Sequence, residues 1–130
     1  MPAAPARTQR GSAVVDFVLV LVVVIPLFLG ILQVALVLFV RNTLALAASE
    51  GARLAATSDR SAGDGAALTR RQIDGAVSGR FARDISVREV MVDGAPGIEV
   101  TVRATVPALG LGGPGVELEV SAHAVEEPPP

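Results

Sequence analysis

One acid lies where an acid is costly. Asp16, in the stretch Arg10-Gly11-Ser12-Ala13-Val14-Val15-Asp16-Phe17, stands at the mouth of a long apolar run. An ionised carboxylate inside a membrane segment costs about 2.5–3.5 kcal/mol at mid-depth and less near the edge. Asp16 is therefore either a functional charge kept at the membrane, or a headgroup-level acid in the first helical turn, favoured by the helix dipole. A second set of ionisable groups is Glu50 and Arg53, three residues apart on one helix face and beside the small residues Ala47, Ala48 and Gly51. They read either as an exposed pair contributing a few tenths of a kcal/mol, or as part of a helix-docking contact, since small residues let helices approach closely.

Little else could do chemistry. The chain has no Cys, which excludes a disulfide framework, a thiolate zinc site and a Cys nucleophile. Its single His, His123, leaves no His-based metal cluster and reads as surface. No catalytic pair of carboxylates and no nucleophile–base set is visible. The segment Pro107–Gly115 is Gly-rich but lacks the Lys and the following helix of a phosphate loop. A net charge of -2 and four aromatics, all Phe, argue against a nucleic-acid partner. The sequence thus predicts no enzyme, no cofactor, no metal and no small-molecule substrate.

The elements that must position these residues follow from the hydropathy pattern. At 130 residues the chain is one domain at most. Residues 1–11 are small, Pro-broken and polar, with Arg7 and Arg10 and no acid; they read as a cytoplasmic leader. Residues 12–40 read as a transmembrane helix, in which Gln33 is the only strongly polar side chain between Phe17 and Val40. That stretch, as a helix, is about 36 Å long at roughly 1.5 Å per residue, enough to span about 30 Å of hydrocarbon with tilt. Pro26 and Gly30 are tolerated in such a helix. The two Arg before the span, against mixed charges after it, place the N-terminus in the cytoplasm and the rest outside. The run is longer than the apolar stretch of a secretory signal peptide.

Residues 41–63 continue the helix, to about Ala56, and then form a loop over Thr57–Gly65. Residues 64–125 read as an extracytoplasmic headpiece. Asp64 is expected to cap a second helix whose apolar face is Ile73, Val77 and Phe81. Three strands follow: Ile85 to Val92, with an irregularity near Arg88–Glu89; Ile98 to Val106; and Val116 to Ala124. Asp93–Gly97 is the turn between the first two. Residues 126–130 form a disordered tail. The expected fold is α+β: a long N-terminal membrane-spanning helix, then a small headpiece of one helix packed on a three-stranded antiparallel sheet.

The opening also resembles the type IV prepilin processing site, a Gly before an apolar stretch with an acid at the fifth position. More closely, Arg10-Gly11-Ser12-Ala13, Asp16-Phe17, the apolar run interrupted by Pro26, Val40-Arg41-Asn42 and Ala47-Ala48-Ser49-Glu50-Gly51-Ala52-Arg53 resemble the TadE-like family of Tad (Flp) pilus assembly. The family's acid is usually Glu; here it is Asp16, one methylene shorter. The resemblance implies a pilin-like or pseudopilin subunit with a pilin-like fold. A prepilin peptidase would cut between Gly11 and Ser12, and losing Arg7 and Arg10 would take the formal charge from -2 to -4. Asp16 would then pair with the new amine at Ser12 as an assembly charge, within or between subunits. The implied partners are the prepilin peptidase, other pilin-like subunits, Tad membrane assembly proteins and the lipid bilayer. The other reading of the chain is an uncleaved single-span protein presenting a small extracytoplasmic interaction domain.

Overall fold

The computed structural model describes residues 7–77, 82–109 and 113–128. Helix α1 runs over Arg7–Ala55 without a break, through Pro26, and is about 74 Å long. It starts earlier than the sequence pattern suggests, so Gly11 and Ser12 lie inside it. Helix α2 spans Ala62–Ala76. Strands β1 (Ala82–Val92), β2 (Ala95–Val106) and β3 (Val116–Val125) form one antiparallel sheet in the order β1-β2-β3. The architecture is the expected α+β arrangement.

The local causes differ in places from expectation. The residue that caps α2 is Ser61, not Asp64: Ser61 Oγ accepts from the Asp64 N–H at 3.3 Å, and the Ser61 N–H donates to Asp64 Oδ2 at 2.9 Å. This reciprocal box satisfies two donors that a helix start otherwise leaves unpaired. The helix ends at Ala76, where Val77 turns extended. Ile73 and Val77 are buried as expected, and Phe81 lies outside the described residues. The first turn of the sheet is tighter than the five residues Asp93–Gly97. Only Asp93 (φ 50°) and Gly94 (φ 82°) form it, both left-handed, as a two-residue hairpin of the I′ kind requires.

Strand β1 also departs from its pattern. Pairing with β2 is continuous through Arg88↔Glu99 and Glu89↔Ile98, and the register shift falls at Ala82/Asp84 instead. The apolar positions change phase because the strand changes surroundings, not because it bulges. Ile85 and Val87 face the core, half-buried, whereas Glu89 and Met91 on the same face are exposed and Val90 and Val92 take the other side. Strand β2 carries the sheet's contribution to the core: Ile98, Val100, Val102, Ala104 and Val106 are all buried. Its other face holds cross-strand pairs, with Arg88 bonding Glu99, Arg103 bonding Glu119, and Thr101 bonding Ser121.

The sheet was expected to lie on the second helix. It lies mainly on the C-terminal half of α1, with α2 alongside over β1. The reason is size. Helix α2 buries only Gly65, Thr69 and Ile73 along its length, whereas α1 buries Val40, Leu44, Ala47, Ala48, Ala52 and Ala55. One rod therefore serves as the exposed apolar stretch at one end and as the backbone of the head at the other.

The Ser61–Asp64 box carries a pH dependence. The Ser61 backbone N–H, then its hydroxyl, and then the charge of Arg60 hold the Asp64 carboxyl below its usual range. A carboxylate whose folded pKa is depressed contributes stability above its unfolded value and loses it as pH falls through the folded one. Amide exchange at the start of α2 is expected to quicken below about pH 4, and Asp64→Asn to flatten that dependence. Ser61→Ala is expected to lower the stability of the head by about 1 kcal/mol, read from its urea midpoint in detergent.

Candidate functional site: the exposed helix and its flanks

Over residues 9–32 every α1 side chain is exposed except Leu21 and Leu29, which are half-buried. Val14, Val15, Phe17, Val22, Val23 and Leu27 are among those open to the surroundings. Among the described residues none of the most apolar stretch is fully buried, and α1 is long and apolar enough to cross a membrane. A helix that is apolar all round calls for a solvent other than water.

Gly11, Ser12 and Asp16 all lie at this end, on one continuous helix. Ser12 and Asp16 are four apart, one turn, and so share a face. A Cβ on Gly11 would meet nothing within 4 Å, so no packing demand explains the glycine. Among the described residues, Asp16 makes no side-chain hydrogen bond or ion pair. It is also not in the first turn of α1, which begins at Arg7 and contains no acid. The dipole effect falls off within one turn, so it does not account for Asp16 in the full-length chain. A helix starting at Ser12 would put Asp16 within reach of the terminus.

The small-residue face at the other end is occupied. The sequence left open whether Gly51, Glu50 and Arg53 meet a partner; Gly51 and Glu50 meet the chain's own α2. A Cβ at Gly51 would run into the Thr69 hydroxyl and lie 2.8 Å from the Gly65 carbonyl oxygen. Gly65 faces back, with Gly51 O 2.5 Å and Ala55 Cβ 2.6 Å from where its own Cβ would be. Thr69 Oγ1 sits 2.9 Å from Gly65 O and 3.3 Å from Ala47 O, sharing its hydrogen between them, and is fully buried. Glu50 accepts a hydrogen bond from Gln72 Nε2 rather than pairing with Arg53. Arg53 is exposed in the last turn of α1, where a cation suits the helix dipole.

Sequence reasoning missed Thr69, which reads as one more polar helix residue. It also missed what Gln33 does. That side chain donates through Nε2 to Pro107 O (3.2 Å) and accepts through Oε1 from Leu109 N–H (2.7 Å).

The fold and these flanks define a small α+β head on a long apolar helix. The model of the family described as TadE-like protein matches residues 11–53, from Gly11 to the last turn of α1 and no part of the sheet. The similarity therefore covers Gly11, Ser12, Asp16, Glu50, Gly51 and Arg53, and it is to a family of Tad pilus assembly that is not known as enzymatic. No curated protein and no solved structure matches the chain.

Proposed function

We propose that the chain is a pilin-like subunit of Tad pilus assembly, matured by a prepilin peptidase between Gly11 and Ser12. Residues 1–11 are then a cytoplasmic leader, residues 12–40 the membrane span, and the rest an extracytoplasmic head. The observation that carries this reading is the bare apolar stretch of α1 that follows Gly11-Ser12, with Asp16, which has no partner among the described residues, one turn beyond Ser12. Before cutting, Arg7 and Arg10 hold the N-terminus on the cytoplasmic side. Cutting removes both cations and creates an amine at Ser12. That amine and Asp16 attract one another strongly in the low dielectric of a helical bundle, within one chain or between neighbours. The bare face of α1 supplies the packing surface, and partner subunits and Tad membrane proteins are its occupants. Arg53, exposed beside the head, is a further contact for them.

The test is the intact mass and N-terminal sequence of the membrane-associated protein from its native host, beside a Gly11→Ala variant. The expected result is a native chain that starts at Ser12 and a variant that stays uncut. A native chain that keeps residues 1–11 would remove the pilin mechanism. It would support the second reading, an uncleaved anchor presenting the head. The unbroken helix through Gly11 favours that reading, because a helical peptide bond is less open to a protease.

A further inference from the structure

Gln33 is the one amide in the apolar run, and both ends of it are engaged by a loop 74 and 76 residues away. Protein cover on α1 also begins there. Gln33, Leu36 and Val37 are half-buried and Val40 and Leu44 fully buried, at helical spacing along one face. On the opposite face Val34, Leu38 and Phe39 stay exposed, and the first charge beyond them is Arg41. At about 1.5 Å per residue, the tie at Gln33 lies about 26 Å from Asp16 and about 12 Å short of Arg41. With Asp16 at the inner edge of about 30 Å of hydrocarbon, Gln33 lies about 4 Å inside the outer edge, just beneath the interfacial layer.

A loop held at this depth faces two demands. It must carry no charge, and its backbone polar groups must find partners inside the protein. Residues 107–115 hold only Pro, Ala, Leu and Gly, so no side chain there is polar. Of this segment the structure describes Pro107–Leu109 and Gly113–Gly115. Pro107, Ala108 and Leu109 are exposed, Leu109 by 37%, yet the Pro107 carbonyl and the Leu109 N–H are both paired, through Gln33. In water neither group would need that partner.

We propose that the start of the β2–β3 connection, Pro107–Leu109, is a second membrane-contacting element. Pro107, Ala108 and Leu109 lie in the interfacial layer of the lipid bilayer beside α1, and the Gln33 amide is the strap that holds them there. This rests on α1 crossing the membrane. The head is thereby fixed at two points, by the helix that enters the bilayer and by the loop that rests in its surface, and its height above the lipid is set by Gln33.

The chain has no Cys, so single cysteines can be labelled cleanly. The full-length protein is reconstituted in phosphatidylcholine vesicles with an environment-sensitive fluorophore on Leu109→Cys, Leu27→Cys or Ser121→Cys. Quenching is measured with lipids carrying a nitroxide near the headgroup or at mid-chain. The label at 109 is expected to be quenched most by the shallow nitroxide, that at 27 by the deep one, and that at 121 by neither. If 109 behaves like 121 while 27 remains in hydrocarbon, the loop proposal is overturned and the span stands. If 27 is also in water, the span itself fails, and the inference with it. Adding Gln33→Leu to the 109-labelled protein is expected to drop its shallow quenching towards the level at 121. Unchanged quenching would overturn the role given to Gln33.

Discussion

Gly51→Leu is expected to unfold the head, with a loss of about 3 kcal/mol or more. The expectation comes from the way α1 and α2 meet. Gly51 and Gly65 face each other so closely that each one's missing Cβ would strike the other's backbone oxygen. Neither backbone can yield without parting the two helices. Parting them also pulls Thr69 from Ala47 O, leaves its hydroxyl bonded only to Gly65 O within α2, and opens the packing around it. The inserted side chain has four carbons where one already overfills the site. A head whose core is mostly Ala and Val has little reserve, because small domains are marginal to begin with. The measurement is the urea midpoint and far-ultraviolet circular dichroism of the purified protein in detergent. Arg53→Leu, two residues along and exposed, serves as the control and is expected to change stability by under about 0.5 kcal/mol. An unchanged midpoint for Gly51→Leu would mean that α2 does not dock on this face.

That contact also shows where the sequence stops being legible. The small residues Ala47, Ala48 and Gly51 announce that a helix packs closely on α1, but not whose helix. A partner subunit and the chain's own α2 make the same demand on residue size. The exposed apolar run and strand β2 were legible because periodicity reports burial directly: all five inward residues of β2 are buried. Errors came where one residue type serves two local geometries. Asp64 is a good helix-starting acid at either the cap or the third position, and only Ser61, three residues before it, decides it. In β1, a change of apolar phase looks the same whether the backbone bulges or the covering layer ends; here the layer ends. Gln33 is the extreme case. A lone amide in an apolar run declares that it needs a partner, and nothing local names one that lies 74 residues on.

Asp16→Asn is expected to leave cleavage at Gly11 and membrane insertion intact, and to reduce co-purification with pilin-like partners roughly tenfold or more. The amide keeps the shape of the carboxylate and removes its charge. Removing that charge makes the helix cheaper to insert, so a loss of assembly could not be blamed on insertion. No group among the described residues neutralises Asp16, and its side chain is exposed on a helix whose first turn lies elsewhere. Its natural counter-charge is the amine that processing creates at Ser12, one turn away or on a neighbour. If Asp16 serves only as an acid near a helix start, the substitution should change stability by no more than about 1 kcal/mol and leave partners bound. Asp16→Glu separates charge from reach. It restores the usual acid of the resembled family and should assemble at least as well as the native chain. Full assembly of the Asn variant would show that the acid is not the assembly charge, whatever happens at the Gly11–Ser12 bond. Failure of both variants would show that the position tolerates no change of side chain, and the charge pairing would then not be the cause.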